Sequence, residues 1–226
     1  MELLLKASIF IMIDIKKLEF LKNKGFYQGL KVYKYTVSIY DITYKFQERF
    51  LKGYDRTKDQ MQQAARGGKQ NLAEGSAAGK VSMQSEILLT NVAKASLQEL
   101  LLDYEDYLRT RNLKQWDVND ERTIKTREVV KKKINNYNEN VMKYFLEVGE
   151  TRSDETLANI AITLIHMADR MFSGLQKRQQ LDFLKEGGLK EQMYKARIAV
   201  RESQNSFSLG SPKSPRTPSS PSSPKN

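Results

Sequence analysis

Apolar residues return along this chain at steps of three and four rather than two, the spacing that lines one side of a helix. Six segments carry it. From about Leu30 to Leu51, Tyr33, Val37, Tyr40, Tyr44 and Leu51 form a stripe that Ile42, Phe46 and Phe50 widen, leaving Lys31, Lys34 and Lys45 outside. A second helix, with Asp55 or Thr57 as its cap, carries Met61, Ala65, Gly68, Leu72 and Gly75, broadened by Ala64 and Gly67. Glycine inside a helix costs about 1 kcal/mol relative to alanine, so this seam of small residues predicts close approach of another helix. After a break at Gly79, Ser82 caps a third helix whose apolar face holds Leu89, Val92, Ala93, Ser96, Leu97, Leu100, Tyr104 and Leu108. The two segments predict an antiparallel hairpin. Trp116 anchors the turn at 112–119, and a fourth helix starts near Asp120 with Ile124, Val130, Ile134, Tyr137, Val141 and Phe145 on its inner side. Beyond a break at 149–153, Leu157, Ile160, Ala161, Leu164, Ala168, Met171 and Leu175 mark a fifth helix, closed by Gly187-Gly188. A sixth, Leu189 to Val200, uses Met193, Ala196 and Val200.

Proline placement strengthens the all-α reading. All five prolines stand at or beyond Pro212, so more than two hundred residues run without the strongest helix breaker. There Ser-Pro and Thr-Pro pairs recur every three residues with no apolar side chains for a core, which predicts a disordered or polyproline-like tail. Proline-directed phosphorylation sites and a solubilising leash are both compatible with it. At the other end, the apolar run from Ala7 to Ile13 is too short to span a bilayer, which takes about 20 residues. No small-residue cleavage site follows it, so membrane targeting is disfavoured and a weakly ordered segment at 1–24 is expected, or a start upstream of the functional one.

The run Gln60-Met61, Ala64-Ala65, Gly68-Lys69-Gln70-Asn71-Leu72-Ala73-Glu74-Gly75, then Glu86 and Ala93 through Leu101, resembles the signature of the small bacterial four-helix-bundle proteins first noticed as products of intervening sequences in ribosomal RNA genes. Asp103 through Arg109, Asn159-Ile160, Leu164-Ile165-His166, Phe183, Glu186 through Leu189 and Arg197 resemble the subgroup with a C-terminal suffix domain. The likeness covers about Gly25 to Arg201. It departs from the family pattern at Gly67, where serine is usual, and in the tail. More distantly the chain is similar to the accessory protein of diversity-generating retroelements, a basic ring-forming bundle that binds a reverse transcriptase and nucleic acid. The resemblance implies an antiparallel up-and-down four-helix bundle at 25–150 and two additional helices in a suffix at 151–203, whereas the disordered tail expected at 204–226 follows from its composition alone. It also implies a homo-oligomer, with RNA or DNA and a reverse transcriptase or other protein as partners. No settled activity comes with the closer family.

Charge and chemistry narrow the function. The formal net charge is +11, and the segment 204–226 holds only Lys213, Arg216 and Lys225, so +8 remains in the folded part. Such an excess attracts polyanions through salt-sensitive forces, provided the charges cluster. Lys69, Lys80 and the triplet Lys131, Lys132 and Lys133 are the candidate nucleic-acid contacts; the triplet also suits the end of a helix whose dipole favours cations there. Without cysteine the chain has no disulfide, thiolate metal site or cysteine nucleophile, which fits a reducing cytoplasm. Its one histidine, His166, sits between Ile165 and Met167 and reads as a satisfied side chain rather than a ligand. Asn71, Glu74 and Glu99 are expected to form a structural polar cluster between the second and third helices, with Glu86 and Asp103 nearby. No catalytic residue, metal or cofactor is assigned. The first reading is a non-enzymatic, oligomeric scaffold that binds nucleic acid through a basic surface. A protein-interaction adaptor and, more remotely, a metal-dependent phosphodiesterase using Glu74, Glu86 and Asp103 are the alternatives.

Overall fold

Helices α1 (Lys31–Phe50), α2 (Arg56–Ala78), α3 (Met83–Thr110), α4 (Glu121–Asn135), α5 (Glu139–Thr151), α6 (Asp154–Glu186) and α7 (Leu189–Leu209) account for nearly all the described residues, with one 3-10 turn at Tyr27–Gly29 and no strand among them. The structure is a computed structural model that describes residues 26–51, 56–79 and 81–209, with the backbone alone at Glu186 and 203–209. The expected N-terminal segment, Lys80, and the tail beyond Leu209 lie outside the described residues. No helix among those described is long and apolar enough to cross a membrane.

The seam on α2 and the apolar face of α3 are pressed together. A Cβ added at Gly67 would meet Ser96, one at Gly68 would meet Leu97, and one at Gly75 would meet Leu89. Between Gly68 and Gly75 the facing residue falls from Leu97 to Leu89, so the pair is antiparallel. Met61, Ala64, Ala65, Leu72, Ala93, Leu97, Leu100 and Tyr104 are all buried there. Ser82 caps α3 by accepting from Ser85 N at 3.2 Å, and α2 stops at Ala78. On its other side α3 runs antiparallel to α6 along a ladder of polar pairs. Tyr107 donates to Asp154, Gln98 to Asp169 at 2.8 Å, Lys94 to Ser173, Gln176 to Asn91 at 2.6 Å, and Gln179 to both Glu86 and Thr90. These bonds fix the register of two helices that apolar packing alone would leave free to slide. Helix α1 closes the core. Its Phe46 ring meets Tyr104 edge-on at 5.0 Å and Tyr107 at 4.7 Å, while Tyr104 donates to Thr43 Oγ1 at 3.0 Å.

Three expectations need correction. The buried line of α1 is Val32, Tyr35, Ile39, Ile42 and Phe46; Tyr44 is 42% exposed, and Tyr33 and Tyr40 sit on the flank. Tyrosine pairs an apolar ring with a polar end, so it suits that flank, where Lys69 lies 3.8 Å over the Tyr40 ring. The expected fourth helix is two helices. Asn136 closes α4, and Asn138 opens α5 by accepting from Val141 N. Across the turn Lys133 lies 4.2 Å over the Tyr144 ring, and Ile124, near the start of α4, is exposed instead of inward. Lastly, α7 continues to Leu209, so 204–209 is helical rather than part of the tail.

The core also runs past residue 150. Leu157, Ala158, Ala161, Leu164, Ile165, Ala168 and Phe172 of α6 belong to the same apolar cluster as Phe46 and Leu97. One compact unit accordingly reaches as far as Leu189, and α7 falls in a second. Taken by itself, α7 exposes Met193 and Tyr194. Gly187, with φ of 74°, ends α6 in the left-handed region where glycine is favoured.

Candidate nucleic-acid interface

The segment between α3 and α4 carries no regular structure, yet it is held at several points. Asn112 takes φ of 55°, a value asparagine tolerates better than most residues, and lets Leu113 N reach back to Leu108 O at 2.9 Å. The chain then passes across α6, where the buried Asn159 side chain grips it. Its Oδ1 accepts from Trp116 N at 2.7 Å, and its Nδ2 donates to Lys114 O at 2.9 Å and to Glu155 O at 2.8 Å. A turn at Asp117 leads to Asp120, which caps α4 by accepting from Arg122 N and also takes the Arg122 guanidinium as a fork at 2.8–3.0 Å. Those contacts hold the Asp120 carboxyl well below its ordinary range, at about 2. The same guanidinium lies 4.7 Å over the Trp116 ring.

Trp116 thus stands between two cavities. The larger, about 600 Å³, lies toward Thr123, Arg127, Ile162, His166, Asp169 and Arg170. The smaller, about 270 Å³, has Arg122, Lys125 and Arg152 with Tyr144 and Val148 in its wall, and no carboxylate. Helix α4 adds to this charge: it carries Arg122, Lys125, Arg127, Lys131, Lys132 and Lys133 against Glu121 and Glu128, with Arg122 also paired outside the helix, to Asp120 and, at 3.9 Å, to Glu155. Lys131 and Lys132 are exposed, whereas Lys133 is half-buried on Tyr144.

Other candidates fare differently. Lys80 lies outside the described residues. Lys69 is half-buried beside Asp41 of α1, and burial first, with Arg66 adding to it, lowers its pKa against the pull of Asp41. It is therefore not a free surface cation. The expected polar cluster does not assemble: Asn71 donates to Gly67 O of its own helix at 3.0 Å, and Glu74 and Glu99 are exposed. Glu86 is engaged by Gln179, and Asp103, half-buried, is pushed up by burial and by the negative Asp106 and Glu99. His166 is exposed at the larger cavity, on the outer side of α6, while its neighbour Ile165 takes the core position. No group of three or more His, Asp or Glu side chains converges as metal ligands would among the described residues.

Asp41 is a second charged feature. Its Oδ2 is buried without a hydrogen-bond partner, and burial pushes the carboxyl up to about 6 even though Lys69 pulls it down. Tyr137, close by, is raised to about 12 by burial and by that carboxylate. An unfolded aspartate titrates near pH 3.9, so the folded form holds this proton more tightly. The resulting stabilisation is complete below about pH 4 and is lost as the pH rises through about 6. Asp41→Asn should therefore unfold at higher urea than the wild type at pH 7 and at nearly the same urea at pH 4. A variant less stable at pH 7 would mean that attraction to Lys69 outweighs burial.

Sequence reasoning missed Arg127, Asn159, Thr123 and Arg170 as parts of one place. Asn159 offered a signal, being a polar residue within the apolar run Leu157 to Leu164, and a buried amide requires partners. The others come together only through the fold. No protein-family model matches this chain, and no curated protein or solved structure matches it either.

Proposed function

We propose that the protein is a non-enzymatic helical scaffold, an antiparallel bundle with a C-terminal helical extension, that binds single-stranded RNA or DNA through the face formed by α4 and the Trp116 loop. The observation that carries this reading is the concentration of cations around one exposed helix and two cavities, with aromatic rings among them. Phosphates are attracted by the first and bases stack on the second. The face fits a single strand better than a duplex because its cavities open beside an indole ring rather than along a smooth groove. Self-association is part of the reading. Leu88, Val92 and Leu102 are exposed on α3 at spacings that place them on one side of that helix. The distant resemblance of the sequence to the retroelement accessory protein supports the same assignment.

Fluorescence anisotropy with a labelled single-stranded oligonucleotide tests it. Affinity should fall steeply with salt, and Lys131→Gln with Lys132→Gln should reduce it about tenfold near 0.1 M salt while making the slope of log K against log salt shallower by about 1.4, two contacts at about 0.7 each. Absence of binding at low salt would reject the nucleic-acid reading, and an unchanged slope would remove α4 from the interface. Light scattering on the same samples reports assembly, and a monomer at every concentration would remove that part.

A further inference from the structure

We infer that the larger cavity beside Trp116 receives one unstacked nucleotide of the bound strand, base and phosphate together. The inference rests on the nucleic-acid reading above and names the subsite. Four features of the cavity converge on this ligand class.

The first is size. At about 600 Å³ the space lies within the range of small-molecule sites and exceeds what an inorganic anion would fill. The second is a surplus of hydrogen-bond donors. Thr123 is 4% exposed, and its Oγ1 is buried with no partner. Trp116 Nε1 is likewise buried and unpartnered. A buried polar group without a partner forfeits about 1–3 kcal/mol, and a ligand rich in acceptors recovers that loss where its entry draws the Thr123 hydroxyl and the indole N–H, both now closed to water, toward the cavity. The third is charge. Arg127 uses one nitrogen on Val118 O at 2.9 Å and keeps other donors free to turn to a ligand, and Arg170 and His166 are exposed at the cavity. Of the two carboxylates present, Asp169 is bound by Gln98 and paired with Lys94 at 3.4 Å, and Asp117 accepts from Asn119 N. With Lys94 set against Asp169, Arg127 and Arg170 outweigh the Asp117 carboxylate by one positive charge. The fourth is shape. Arg122 belongs to the smaller cavity and covers the indole from that direction, so the larger cavity meets the remaining indole surface together with Ile162 and Val118.

A free phosphate would answer the cations and leave the indole and the apolar wall unused. An apolar ligand would leave the donors unpaired. A nucleotide answers both, with its base against Trp116 and Ile162, its ring acceptors toward Thr123 and Nε1, and its phosphate toward Arg127 and Arg170. Asn159, which pins the Trp116 backbone, is a positioning residue.

Trp116 is the single tryptophan of the chain, so its emission reads the cavity directly in the full-length protein. Titration with adenosine 5′-monophosphate should quench that emission saturably, inorganic phosphate at the same concentrations should not, and a single-stranded oligoadenylate should produce the same quench at lower concentration. Arg170→Gln, an exposed position that folding tolerates, should weaken the monophosphate about tenfold, and Thr123→Val should weaken it severalfold. No quench by either the monophosphate or the oligoadenylate overturns the subsite, even where anisotropy shows strand binding. Equal quenching by phosphate alone overturns the base-binding part. Quenching by the monophosphate with no effect of the oligoadenylate overturns the strand as its source. Quenching by the monophosphate in a protein whose anisotropy detects no strand at low salt supports the cavity and rejects the wider interface.

Discussion

Asn159→Leu is expected to lower the unfolding free energy by about 2–4 kcal/mol and to shift Trp116 emission to the red. The size follows from what the amide holds. Asn159 is 2% exposed, and its three hydrogen bonds include two to a loop more than forty residues away in sequence. Leucine keeps the branched outline, though with bulkier methyl ends, but satisfies neither Trp116 N–H nor Lys114 C=O, and each group left without a partner costs about 1–3 kcal/mol. Water can reach an exposed loop and recover part of that, which sets the range below the full sum. The functional consequence is larger than the energetic one. Once the loop is no longer held at Lys114 and Trp116, the indole is released from the wall of both cavities and Arg122 loses its platform, so monophosphate quenching should disappear. Binding to a single strand should weaken less, because Lys131 and Lys132 lie at the far end of α4. Urea unfolding followed by circular dichroism, together with the emission maximum, decides it. A variant with wild-type stability and an unmoved emission maximum would show that the loop is held by something other than this side chain.

How much of this was legible beforehand differs from helix to helix, for physical reasons. The seam on α2 was readable because glycine within a helix has a cost and therefore a cause, and Gly68 and Gly75 both face α3. In α1 the apolar residues cover more than half the circumference, so period alone could not choose between the line through Tyr40 and Tyr44 and the buried line through Ile39 and Phe46. The tyrosines belong to the boundary, where rings cover the core and hydroxyls reach water. The break between α4 and α5 was hidden because Ile134, Tyr137, Val141 and Phe145 keep helical spacing across it, although Asn135-Asn136-Tyr137-Asn138 carries the caps and turn residues of a boundary. The site was the least legible part. Lys131 and Lys132 stand out as a run, but the cavity joins Trp116, Thr123, Arg127 and Arg170 from a loop and two helices, and no local pattern announces a surface assembled that way. The expected cluster of Asn71, Glu74 and Glu99 failed for the converse reason: carboxylates that can remain in water do so, since a buried and incompletely paired charge is costly.

Gly68→Val is expected to destabilise the protein by about 3 kcal/mol, while Gly174→Ala stabilises it by about 0.5–1 kcal/mol. Both glycines lie inside helices, so both substitutions relieve backbone entropy, valine by a few tenths of a kcal/mol less than alanine, and the rest of the difference is packing. A Cβ at Gly68 would stand 2.5 Å from Leu97 Cδ2 and 2.8 Å from its Cγ, with Ala93 O at 3.5 Å. Leu97 cannot swing clear, because it is 2% exposed and enclosed by the core. The two helices must then separate along the seam, which loosens Met61, Leu72 and Leu100 together. At Gly174 nothing lies within 4 Å of the added carbon, and only the gain in helix propensity remains. Gly68→Ala falls between, its crowding partly offset by about 1 kcal/mol of propensity. Chemical unfolding of the three variants gives the order directly. Should Gly68→Val match the wild type, the helices are not in close contact at this seam. Should Gly174→Ala destabilise as much as Gly68→Val, crowding at α2 and α3 is not what distinguishes the two sites.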